Sequence, residues 1–82
     1  MKENYYIIND ISISERDYFT VIHYFTEWCF WNKRSDENIT KNDIEKFKKE
    51  MNKTIDKDEE IINAALIKYY SYVDDNKNNL FK

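Results

Sequence analysis

The chain has 82 residues and contains neither glycine nor proline. That double absence constrains the fold more than any motif does. Glycine takes positive φ without steric cost, and proline presets turns. Without them, each tight turn that needs positive φ falls to Asn or Asp, and the chain is rich in Asn. The same absence argues against a β-sandwich, a collagen-like repeat and any glycine-rich phosphate cradle. Helix is the default. The length suits one small domain, residues 1–82, because further division leaves no core. Hydrophobic residues make up 41 % and aromatics 17 %, which is core-forming material despite 35 % charged residues.

Three helix starts are written into the sequence. Ser14 is a cap candidate, with Asp17 as its acid partner. Thr40 and Asp43 have capping-box spacing, and Ile39 and Ile44 occupy the two positions of a hydrophobic staple. Asp56 suits the third start, with Glu59 in the reciprocal place and Asp58 and Glu60 favouring the positive helix end. The expected fold is all-α: three helices, at about 14–31, 41–52 and 57–74. Residues 1–13 form an extended arm, 14–75 the helical core and 76–82 a tail. Tyr5 to Ile8 is β-branched and aromatic, but one isolated strand makes no sheet, so an ordered arm is favoured. The tail should fray, unless Leu80 and Phe81 dock back or lead into a further segment.

The first helix carries Tyr18, Val21, Ile22, Phe25, Trp28 and Cys29 on one face. Tyr24 and Trp31 lie on one flank of that face, and Phe19 and Phe30 on the other. Only Thr20, His23, Thr26 and Glu27 leave a polar strip. A helix apolar nearly all round needs a second cover. Either the arm and tail supply it, or the surplus aromatics form an exposed patch for another protein. The second helix has a narrow apolar face of Ile44, Phe47 and Met51, and Lys41, Lys46, Lys48, Lys49 and Lys53 elsewhere. On the third helix, Ile62, Leu66, Tyr69 and Val73 form a stripe widened by Ile61, Ala65 and Tyr70. Ala64 and Ala65 would let another helix approach closely.

Chemistry finds little footing. His23 and Glu27 have helical pair spacing, but Cys29 falls on the core face, so a nucleophile–base pair is disfavoured against a buried structural cysteine. One histidine and one cysteine build no closed metal site. Asp56, Asp58 and Glu60 resemble the start of a calcium loop, but the turn glycine and twelfth-position acid are missing. No enzyme activity, cofactor or small-molecule ligand is expected. A single cysteine fits a reducing, cytoplasmic location. No apolar run reaches the ~18 residues of a membrane span, and Lys2-Glu3-Asn4 opens no signal peptide.

Net charge is −3, unevenly spread. Residues 33–57 hold eight basic and six acidic side chains and are the only basic third. This bias falls short of the dense stripe of a strong phosphate binder.

The order of motifs resembles the core-binding domain of tyrosine recombinases, the phage-integrase family, over roughly residues 12–78. The carrying pieces are Ser14 with Tyr18 to Trp28, then Ile39-Thr40-Lys41-Asn42-Asp43-Ile44-Glu45-Lys46-Phe47. The last is Ile62-Asn63-Ala64-Ala65-Leu66-Ile67-Lys68-Tyr69-Tyr70-Ser71-Tyr72-Val73. The resemblance implies a small helical bundle that clamps duplex DNA and works beside a separate catalytic domain. The chain departs from it in its N-terminal arm, which replaces an opening helix, and in its acidic Asp58-Glu59-Glu60.

The first functional expectation is therefore a non-catalytic DNA-binding module from a mobile genetic element. Lys33, Arg34, Lys41, Lys48, Lys49 and Lys68 are its phosphate contacts. The alternative is a small acidic phage- or plasmid-encoded inhibitor, of anti-CRISPR type, acting on a host protein or nucleoprotein. Phe19, Tyr24, Phe30 and Trp31 then supply the aromatic contacts, and Asp58, Glu59, Glu60, Asp74 and Asp75 meet a basic partner surface. A helix-turn-helix regulator built on the second and third helices ranks below both, because its reading helix would open with acids.

Overall fold

The computed structural model describes residues 4–35, 37–73, 80 and 81. Two strands come first, β1 (Tyr5–Ile8) and β2 (Ile11–Ser14), followed by α1 (Glu15–Trp31), α2 (Lys41–Ile55) and α3 (Glu59–Val73). The architecture is mostly α, as expected, with one addition. The extended arm is a β-hairpin: β1 and β2 pair antiparallel, with Ile8 opposite Ile11 and Tyr5 opposite Ser14. One isolated strand makes no sheet, but here the alternating Ile11-Ser12-Ile13-Ser14 is the second strand.

Asn9 and Asp10 make the two-residue turn, with φ of 50° and 67°. Two successive positive φ angles suit the right-handed twist of a hairpin. These are the residues a glycine-free chain must use there. Ile13 is buried in the core, and Tyr6 and Ile8 pack against it. The hairpin is anchored on α3, where Lys68 Nζ lies 4.0 Å from the Tyr6 ring centroid, a cation–π distance.

The helix starts at Ser14 and Thr40 form as expected. The Ser14 hydroxyl accepts from Asp17 N–H at 3.1 Å. Asp17 itself turns to Lys57, 3.2 Å away. Thr40 and Asp43 form the full capping box: Asp43 N–H donates to Thr40 Oγ1, and Thr40 N–H donates to Asp43 Oδ2. Ile39 and Ile44 are both buried beneath it.

The third start differs from expectation. Asp56 ends α2 instead of capping α3: its φ is 56°, and its N–H donates to Asn52 carbonyl. Asp58 carbonyl then accepts from Ile62 N–H, the first bond of α3. Asp is favoured both as a helix cap and in the left-handed region, which is how one residue suits either role. α2 consequently runs to Ile55, which is buried. Position 74 of the expected third helix, Asp75 and most of the tail lie outside the described residues, as does the Val73 side chain.

Phe25 sits at the centre of the core. Its ring meets Phe47 edge-on at 5.0 Å, and Tyr69 and Tyr70 at 6.1 Å each. Such pairs contribute about 0.5–1.5 kcal/mol each beyond area burial. Trp28 adds a polar tie, donating from Nε1 to Glu50 Oε2 at 2.6 Å. α3 is central, with Ile62, Ala64, Ala65, Leu66 and Tyr70 all buried. Ala64 borders a small cleft beside Ile8 and Ile11 of the hairpin, so the close approach it permits is by β-structure. Leu80 docks back into the core, and Phe81 lies 6.0 Å from Tyr70.

Candidate interaction surface

α1 and α3 run the same way, and α2 runs against them. Asp17 meets Lys57 at one end of the pair, and Phe25 meets Tyr69 and Tyr70 further along. Trp28 meets Glu50, and Arg34 meets Asp43, which sets α2 antiparallel to α1. The C-terminal end of α1, the loop after it and the start of α2 therefore share one end of the molecule. The start of α3 is at the other.

Among the described residues, the arm and tail leave three of the four flank aromatics of α1 exposed. The hairpin covers Tyr18 through Tyr6, and Phe81 lies over Tyr70. Phe19, Phe30 and Trp31 stay 57 %, 74 % and 77 % exposed. Tyr24 is half-buried. Phe30 and Trp31 touch each other edge-on at 5.5 Å. Next to Phe30 lies a surface cleft of about 290 Å³, lined by Phe25, Cys29, Phe30, Arg34 and Tyr69 among others. Cys29 is half-buried there, not sealed in the core as its helical position suggests. His23 Nε2 and Glu27 Oε2 are 3.8 Å apart on the exposed side.

The backbone at this end is unusual. Lys33 N–H donates to Phe30 carbonyl at 3.3 Å, and Arg34 N–H to Cys29 carbonyl at 2.8 Å. This is the Schellman pattern of helix termination, whose left-handed residue is ordinarily glycine. Lys33 fills it here, with φ of 56°. A lysine backbone held in this region is strained by about 1–2 kcal/mol. Strain of this kind concentrates at working sites.

The six basic residues expected to touch phosphate divide into two groups. Lys48 is only 9 % exposed; its Nζ reaches Glu45 at 3.0 Å, Asn63 at 3.3 Å and Glu59 at 3.9 Å. Arg34 Nε lies 3.3 Å from Asp43 Oδ1, and Lys68 is stacked over Tyr6. These three serve the fold. Lys33, Lys41 and Lys49 are exposed. Sequence reasoning left Lys46 and Lys53 out of the set, although both are exposed and share the outward side of α2 with Lys49. Their spacing from Lys49, three and four residues, was the signal. The neighbouring acids have other partners: Glu45 pairs with Lys48, and Glu50 accepts from Trp28.

The residues of the protein-binding alternative are not brought together. Asp58, Glu59 and Glu60 are exposed at the start of α3, at the end opposite Phe30 and Trp31. What the fold does gather is a mixed set: Phe30, Trp31 and the cleft, beside Lys33 and Arg34, with Lys41 in the first turn of α2. Among the described residues, no group of three or more His, Cys, Asp or Glu is placed to hold a metal ion, and no helix is long and apolar enough to cross a membrane.

No family model, curated protein or solved structure matches this chain.

Proposed function

We propose that this chain is a non-catalytic binding module that docks on another protein through the α1–α2 junction. The observation that carries the reading is the side-by-side exposure of Phe30 and Trp31. Burying a large apolar side chain is worth about 1.5–3 kcal/mol, so a small domain that leaves two in water forgoes stability it could have had. Aromatic side chains are also the usual anchors of interface hot spots. Strained Lys33 beside them supports the same reading. The partner presents an apolar side chain to the cleft at Phe30 and acidic groups opposite Lys33 and Lys41. A small phage- or plasmid-encoded inhibitor of a host nucleoprotein is the setting this surface fits. The aromatic half of the sequence expectation is kept, and its acidic half is replaced by the basic rim.

The test compares affinity capture by the wild type and by a Phe30→Ser/Trp31→Ser variant with a matching thermal melt. One protein held stoichiometrically by the wild type, and by Glu59→Lys/Glu60→Lys, but lost by the aromatic variant is the expected result. Equal capture by the aromatic variant refutes the proposal.

A second reading, the integrase-type DNA module, is favoured by one observation. Lys46, Lys49 and Lys53 form an outward row, and the nearby Glu45 and Glu50 are paired with Lys48 and Trp28. If duplex DNA is the partner, anisotropy at low salt shows binding that falls steeply with added salt. A Lys46→Ala/Lys49→Ala/Lys53→Ala variant then binds weakly across all sequences. Absence of binding at low salt removes this reading.

A further inference from the structure

The hairpin offers a second surface, independent of the aromatic junction. Glu15 N–H donates to Asn4 carbonyl at 2.8 Å across the start of the strand pair. That bond sets the phase of the ladder: even-numbered residues of β1 point their backbone groups at β2. Tyr5 and Ile7 then point their N–H and C=O groups away from it. Among the described residues, no backbone hydrogen bond from either reaches another element. Their side chains are also outward, 61 % and 77 % exposed. β1 holds no lysine, proline, charge or bulge, the devices that normally block an open edge.

We propose that β1 is a self-association edge, pairing antiparallel with β1 of a second copy of this chain and extending the two hairpins into one sheet.

The register argues for a second copy as occupant. Antiparallel pairing about a two-fold axis through Tyr6 sets Tyr5 opposite Ile7 of the copy, and Ile7 opposite its Tyr5. Both are the residues with free outward backbone groups, so each pair exchanges both of its bonds. On the outward face each pair sets an aromatic ring against a β-branched side chain, a favourable cross-strand combination. The same four-residue strand thus complements itself in bonding phase, in side-chain type and in absence of charge. A contact this short buries well under the ~1,000 Å² of a stable complex, so the dimer is weak and forms as chain concentration approaches about 1 mM.

Amide exchange followed by NMR across a concentration series, with translational diffusion alongside, tests this. The expected result is a dimer at high concentration, with exchange at Tyr5 and Ile7 slowing several-fold while Tyr6 and Ile8, already bonded to β2, change little. Ile7→Lys, on the exposed side, keeps the monomer fold and abolishes both effects; Trp31→Ser leaves both intact. A chain that stays monomeric at about 1 mM overturns the proposal. So does a dimer that persists in Ile7→Lys, or one in which the Tyr5 and Ile7 amides exchange as in the monomer.

Discussion

Replacing Lys33 by glycine should stabilise the fold and weaken binding at once. Lys33 closes α1 in the left-handed region, φ 56°, with its own N–H bonded to Phe30 and that of Arg34 bonded to Cys29. An ordinary residue is disfavoured there by about 1–2 kcal/mol. Glycine removes that strain but loses more freedom on folding, about 0.5–1 kcal/mol. The net gain therefore spans about 0–1.5 kcal/mol and centres on about 0.5–1 kcal/mol. In a domain of this size, 1 kcal/mol moves Tm by about 4–8 °C, so a rise of about 2–8 °C is expected. The exposed Lys33 side chain makes no ion pair among the described residues, so its removal costs the fold little. Lys33→Ala separates the effects: it deletes the charge, keeps the Cβ and the strain, and should leave Tm within about 2 °C of wild type. Thermal and urea melts followed by circular dichroism measure both variants. A Lys33→Gly variant no more stable than Lys33→Ala refutes the assignment of strain at this position. If the strain is retained for function, both variants bind the partner less well, even though one is the more stable protein.

Three further outcomes test the frame that holds the surface. Asp43→Ala should destabilise by about 1–2 kcal/mol in urea melts, from the orphaned Thr40 N–H and the lost pair with the partly exposed Arg34, while Thr40 Oγ1 still caps the helix; a loss below about 0.5 kcal/mol would show that the Asp43 half of the capping box is dispensable. Leu80→Ala should cost about 2 kcal/mol, because Leu80 is buried in the core, whereas a frayed end would tolerate it without change. Asp10→Gly should raise stability by about 0.5–1 kcal/mol by easing the φ of 67° in the hairpin turn, and a loss of stability would contradict that turn geometry.

The helices were legible because their signals are local. Thr40, Asp43, Ile39 and Ile44 lie within six residues, and cap, reciprocal acid and staple agree on one start. The hairpin was harder to see because its turn is Asn9-Asp10. Glycine would have marked it plainly, whereas Asn and Asp also occur in ordinary loops. Asp56 was misread for a related reason, since its side chain suits a cap and its backbone tolerates the left-handed region.

The charge pattern was the least informative. Lys48 and Lys49 are neighbours in sequence, yet one is buried among Glu45, Asn63 and Glu59 and the other faces solvent. Only the packing of α2 on α3 separates them. Phe30 and Trp31 were recognisable as surplus aromatics. Their exposure follows from where the hairpin and Leu80 actually dock, a long-range outcome with no local signal.

Site-specific photo-crosslinking from position 31, in a lysate of the host cell, tests the proposed surface most directly. Parallel probes at positions 49 and 60 report the lysine row and the acidic start of α3. One discrete protein adduct from position 31 and none from the other two is the expected result. Adducts confined to position 49 or 60, with position 31 silent, would contradict it.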